Sequence, residues 1–182
     1  MMEVWLSESL VRVEWAKDQP GVLVVTIDNP PANAMKLSMF RELRDVFLNV
    51  REDHVDARCI VLTGEGKIFC AGADTRELAA RTTEMQLARS EISRSCFDAI
   101  RRCALPVIGA VNGATVGAGV VLAASCDIVL ASENAHFSLT EVLIGALGGT
   151  RHTARLVPNK LMRYMALTGQ RVGAETLSLI HI

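Results

Sequence analysis

Val107-Ile108-Gly109-Ala110-Val111, then Asn112-Gly113-Ala114-Thr115-Val116-Gly117-Ala118-Gly119, then Val120-Val121-Leu122-Ala123-Ala124-Ser125, is the stretch on which the fold turns. The first five residues are apolar and mostly β-branched, a run short enough for a strand buried on both faces. The next eight are small or polar, so backbone there approaches its neighbours closely. From about Val120 to Ser125 the chain is nearly all apolar, which predicts a short helix buried all round. Buried strand, glycine loop and buried helix in succession form the repeating unit of a parallel α/β layer.

The same alternation extends in both directions. Upstream, Leu10 to Glu14 and Val22 to Ile27 predict a hairpin across the polar turn Lys17 to Gly21. Ser38 is read as an N-cap before Met39, Phe40, Leu43, Val46, Phe47 and Val50, whose spacing predicts an amphipathic helix to about His54. Cys59 to Gly64 is a buried-strand pattern, and a polar helix is expected over about Thr82 to Arg102, stopped by Pro106. Downstream, Asp127 to Ala131 and Ala135 to Ser138 read as strands, and the chain from Gly148 onward as mainly helical. No internal repeat and no Pro, Gly or Ser-rich linker divides the sequence, so one core is the simplest organisation.

Composition narrows the function classes. The 182 residues are 50% hydrophobic and 21% charged, with 19 basic and 20 acidic side chains, which describes a globular chain without the electrostatic footprint of a nucleic-acid binder. Aromatic residues are only 4% while Gly numbers 13, so the interior is built from small residues and leaves main chain within reach of a ligand. Cys59, Cys70, Cys96, Cys103 and Cys126 are odd in number and lack CxxC spacing, which implies reduced thiols and neither a disulfide framework nor a zinc site. No stretch reaches the ~20 apolar residues of a membrane span, and the N-terminus lacks a leader pattern. A cytoplasmic protein without membrane or nucleic-acid partners is expected.

Two small-residue loops are candidate ligand cradles. Phe69-Cys70-Ala71-Gly72-Ala73-Asp74 follows a strand and turn, and Gly113 to Gly119 leads into the buried helix, whose first N–H groups favour negative charge. Each fits close packing as well as ligand binding. The second loop also carries glycines spaced like those of short-chain dehydrogenases. That motif opens its fold, however, whereas more than one hundred residues precede it here, and the lone Tyr164 is followed four positions on by Thr168 rather than Lys. Glu52 to Asp56 points its acidic groups and His54 in different directions at a helix end, which is a solvated turn rather than a metal site. His136 and His152 stay unassigned.

Taken in order, Ile27-Asp28-Asn29-Pro30-Pro31-Ala32-Asn33-Ala34, Phe69 to Asp74, Ala110-Val111-Asn112-Gly113 with Gly117-Ala118-Gly119, Ser125-Cys126-Asp127-Ile128 and Phe137-Ser138-Leu139-Thr140-Glu141 resemble the crotonase, or enoyl-CoA hydratase/isomerase, family over about residues 10 to 175. The resemblance implies a coiled ββα spiral core over residues 1–175 that binds an acyl-CoA thioester, with trimers or pairs of trimers of the full-length chain. It implies no cofactor beyond coenzyme A as part of the substrate, and no metal. The tail 176–182 leaves the family pattern, so a truncation before the family's C-terminal helices is expected.

The resemblance also implies roles. The N–H groups of Ala73 and Ala118 hold the thioester oxygen, and loss of one such donor costs about 2.7–4 kcal/mol. Ala71 and Ala73 line the adenine and pantetheine path, Gly72, Asp74 and Gly117 complete the loops around the substrate, and Arg76 stands near the CoA phosphates. Gly148, in the turn after Leu147, faces Glu141 across the pocket. Of the two glutamates of the family's hydratases, Glu141 matches the second, and among apolar neighbours its pKa is expected to rise. The first falls on Val121, which cannot activate water, and loss of a general acid–base group forfeits ~10²–10⁴ in rate. Isomerisation through one base is thereby favoured over hydration. The alternative is a non-catalytic acyl-CoA-binding or assembly subunit, and an NAD-dependent reductase is a remote third reading.

Overall fold

The computed structural model describes residues 9–78, 82–146 and 148–178. Leu147, and the tail beyond Ser178 whose divergence is noted above, lie outside the described residues. The expected hairpin forms from β1 (Val11–Trp15) and β2 (Val22–Ile27), antiparallel with Val11 opposite Ile27. β2 then takes β3 (Cys59–Gly64) as a parallel neighbour, Leu23 beside Ile60. β5 (Val107–Val111) joins β3, and β7 (Ile128–Ala131) joins β5, both parallel. The five-stranded order is β1-β2-β3-β5-β7. Leu23, Val25 and Ile27 are buried on β2, and Ile60 and Leu62 on β3, as period-2 burial in a covered sheet requires.

A second sheet, order β4-β6-β8-β9, is built from β4 (Ile68–Cys70), β6 (Ala114–Val116), β8 (His136–Ser138) and β9 (Val172–Gly173). Three of these are three residues long and the last is two. The sequence pattern shows β8 but hides β4, β6 and β9, because so short a strand carries no periodicity. Both sheets share one apolar core with the helices.

α1 (Leu37–Asp53) buries Met39, Phe40, Leu43, Phe47 and Val50 along one face. Its start differs from expectation. Lys36 occupies the N-cap and Ser38 lies inside the first turn, because the Leu37 N–H is capped from afar by Glu77 Oε2 at 3.0 Å. That glutamate sits on α2 (Thr75–Leu78), a single turn ahead of α3 (Thr83–Arg101). Thr82 does cap α3, its Oγ1 accepting the Met85 N–H. α1 and α3 pack through an edge-on contact of Phe40 and Phe97, rings 5.8 Å apart. The apolar helix predicted from Val120 begins two residues earlier as α4 (Ala118–Ala123), and Gly119 through Ala123 are all buried. A 3₁₀ turn (Glu141–Ile144), α5 (Thr150–Leu156), α6 (Asn159–Thr168) and α7 (Ala174–Ser178) complete the described chain. Among the described residues the five cysteines are free thiols, and no helix is long and apolar enough to cross a membrane.

Candidate active site

The first loop, residues 71–74, leaves β4 and is held against residues 32–35. Ala71 N–H donates to Ala32 C=O, Met35 N–H to Gly72 C=O, and Asp74 N–H to Met35 C=O, at 3.1, 2.7 and 3.0 Å. This is a parallel bridge between Met35 and Ala73, and such a bridge turns the Ala73 N–H to the far side of its strand. No described residue accepts from it.

The second loop crosses the first at Gly72. With φ at +91°, Gly72 holds a backbone few side chains tolerate, and a Cβ there meets Val116 O at 2.9 Å and Ala118 N at 3.5 Å. Glycine is thus the residue that lets the two loops touch. Gly117, also at positive φ (+53°), donates its N–H to Ser138 C=O, which ties this loop to β8. Ala118 opens α4, and its N–H, one of the orphan donors of a helix start, finds no acceptor among the described residues.

Glu141 enters from the 3₁₀ turn after β8. Its Oε1 lies 3.0 Å from where a Cβ on Gly117 begins and 3.9 Å from the same point on Gly148, so its carboxylate lies close to both glycines. Oε2 is buried without a hydrogen-bond partner. Loss of solvent raises the Glu141 pKa above the ordinary carboxylate range, only partly offset by its own backbone N–H. A proton acceptor moved toward neutrality and not neutralised by a cation results.

These pieces line one cavity of about 240 Å³. Of the residues singled out from the sequence, Ala71, Gly72, Ala73, Gly117, Ala118, Val121, Glu141 and Gly148 border it, and Asp74 and Arg76 do not. Asp74 is buried beneath the loop, where it accepts the Arg76 N–H and pairs with its guanidinium at 2.9 Å. The Arg76 hydrogen bond and charge hold the Asp74 carboxyl below its usual range. Its place is that of a helix cap, and the Arg76 side chain stands out in solvent. Val121, buried, lies against Gly149 and offers no polar atom.

Phe40, Phe97, Arg89 and Ser93 also border the cavity and were not legible beforehand, since at helical spacing they read as core or surface. His152 packs on Phe97 behind the cavity, and His136 pairs across to Gly173, so neither histidine borders it. Cys70 is fully buried beside the first loop, its thiol pushed up to about 12 by loss of solvent, and it packs rather than reacts at neutral pH. A larger cleft of about 920 Å³ runs between β7 and α7 and contains none of the ten candidate site residues.

Comparison with known proteins places this arrangement. The family model described as Enoyl-CoA hydratase/isomerase matches residues 17–180. A "(7aS)-7a-methyl-1,5-dioxo-2,3,5,6,7,7a-hexahydro-1H-indene-carboxyl-CoA hydrolase" of Mycobacterium tuberculosis (strain ATCC 25618 / H37Rv) is 42% identical over 87% of this chain and 64% of its own length. A "Probable enoyl-CoA hydratase" of Rhodobacter capsulatus is 38% identical over 85% of this chain and 61% of its own. The crystal structure of an enoyl-CoA hydratase from Bacillus anthracis superposes with a TM-score of 0.87 at 29% identity, covering 94% of this chain and 67% of that one. The chain thus spans less than two thirds of the length of those two curated relatives. With the family model matched over most of its residues and the fold shared, the chain belongs to the enoyl-CoA hydratase/isomerase, or crotonase, family.

Proposed function

We propose that the full-length protein is an acyl-CoA enzyme that works through a thioester enolate with one proton-transferring side chain. The observation that carries the reading is Glu141, whose carboxylate lies beside Gly117 and Gly148 with Oε2 buried and partnerless, in a cavity also bordered by Ala73 and Ala118, whose N–H groups have no acceptor among the described residues. The thioester oxygen accepts from those two N–H groups, and Ala71 and Gly72 let the pantetheine arm run along main chain. Arg76, exposed at the start of α2, is the cation on offer to the CoA phosphates.

In a 3-enoyl-CoA, Glu141 removes a proton from the carbon next to the thioester, and the electron pair moves onto the oxygen as a dienolate. The same carboxyl then returns the proton to the γ-carbon as the pair moves back, which yields the 2-enoyl isomer without net gain or loss of atoms. Hydration needs a second group to orient water, and Val121 offers none. Isomerisation is therefore the favoured reaction, and the family's trimer or hexamer the proposed assembly.

Hydrolysis of an oxo-bearing acyl-CoA is the second reading, favoured by the 42% identity to a protein named as a hydrolase of that kind. The test is a panel of 3-enoyl-CoA, 2-enoyl-CoA and a cyclic oxo-acyl-CoA offered to the full-length protein, with products resolved by chromatography. Isomerisation of the first without hydration of the second supports the proposal. Turnover of the oxo-acyl-CoA alone replaces it with hydrolysis, and binding of all three with no turnover leaves an acyl-CoA-binding subunit.

A further inference from the structure

Arg89, on α3, is a charged side chain that borders the cavity and has no role so far. It is 8% exposed, yet it is not held by a carboxylate alone. Its Nη1 donates to Glu77 Oε2 at 2.7 Å and its Nη2 to the Met35 carbonyl at 3.1 Å. Both acceptors belong to the frame of the first loop. Met35 C=O is the atom that receives the Asp74 N–H, so it takes two donors at once and sits directly across the bridge from Ala73. Glu77 lies three residues beyond Asp74, and the same Oε2 receives the Leu37 N–H. One guanidinium thereby joins three pieces of chain that are distant in sequence: the segment 35–37, the loop 71–77 and α3.

We propose that Arg89, through Glu77 and Met35, is a positioning residue that fixes the Ala73 N–H for the thioester oxygen. This rests on the reading of Ala73 as an oxygen-binding donor. A backbone donor cannot be aimed by its own side chain, so its direction depends on what clamps the strand that carries it. Here the clamp is the Met35 to Ala73 bridge, and Arg89 is the side chain that fastens the bridge to the helix wall of the cavity. The ring of Phe40, 5.8 Å from the guanidinium, shields it from solvent on one side.

The test separates aim from binding. Affinity is measured for a saturated acyl-CoA thioester and for the matching thioether, which lacks the carbonyl oxygen, with wild type and Arg89→Met. Wild type is expected to prefer the thioester, and Arg89→Met to lose most of that preference while its thioether affinity stays within about twofold. With a turned-over substrate, kcat should fall by about 10²-fold, the scale of an ångström-level misplacement, with KM changed far less. Arg89→Lys is expected to recover part of both. Should Arg89→Met not fold, Glu77→Ala on the exposed turn α2 carries the same measurement, since it frees one guanidinium nitrogen and the Leu37 N–H together. A variant that keeps the full thioester preference overturns the clamp alone. A wild type that binds both ligands alike removes the oxygen-binding role of Ala73, and the clamp with it.

Discussion

Glu141→Gln separates catalysis from stability at one atom pair. The carboxylate has one oxygen near Gly117 and one buried without a partner. A glutamine of the same shape keeps the packing and removes both the charge and the basicity. Activity on an enoyl-CoA should fall by ~10²–10⁴, the usual worth of a general base, while affinity for a non-reacting acyl-CoA is nearly unchanged. Stability should move the other way. The substitution removes a carboxylate charge whose burial is unfavourable, and because the amide brings its own polar atoms to satisfy, only about 1 kcal/mol of gain is expected at neutral pH. In a chain of this size that is a rise in Tm of about 2–4 °C.

The gain has a defined pH dependence. Burial raises the Glu141 pKa in the folded state, so the native chain holds that proton at a pH where the unfolded chain has released it. The wild-type contribution is complete below the ordinary carboxylate pKa and is lost as pH rises through the raised value. The variant has no such slope, so its advantage is absent in acid and grows toward neutrality. Thermal unfolding followed by circular dichroism across pH, beside turnover at neutral pH, reads both effects. A variant that keeps more than about a tenth of wild-type activity, against the ~10²–10⁴ expected, or that melts lower than wild type at neutral pH, refutes the account of this carboxylate.

Two further outcomes follow from the loops. Gly72→Ala forces a Cβ to within 2.9 Å of Val116 O at a backbone with positive φ; a loss of about 1–3 kcal/mol in denaturant unfolding is expected, with turnover lost in step as the loops part. Asp74→Ala removes the cap of α2 and should cost about 0.5–2 kcal/mol while acyl-CoA affinity holds. Because Arg76 depresses the Asp74 pKa, the wild-type contribution is present above the ordinary carboxylate pKa and is lost as pH falls through the lowered one, so the variant's deficit should narrow in acid.

What was legible in the chain follows a physical line. β2, β3 and β5 match their sequence patterns residue for residue, because strands in the interior of a covered sheet are apolar at nearly every position. The loops and Glu141 were legible as an ordered set of motifs, and eight of the ten residues singled out border one cavity. Long-range partnerships were not legible. The cap of α1 is a glutamate forty positions away, so Ser38 was the local choice and the wrong one. Asp74 carries the polarity of a ligand group but turns inward as a cap, and Arg89 looks like any solvated helical arginine until Met35 and Glu77 are placed around it.

The division of strands between two sheets bears on how the protein breathes. The larger sheet rests on strands of four to six residues, whereas the strands that carry both loops and lead to Glu141 are three residues long. Fewer ladder bonds hold that half, so it is expected to be the lower-energy unit of sub-global unfolding, opening while the five-stranded frame stays closed. A ligand seated between the loops therefore adds its binding energy mainly to the smaller sheet, and its amides, the Gly117 N–H to Ser138 among them, are those whose hydrogen exchange slows most.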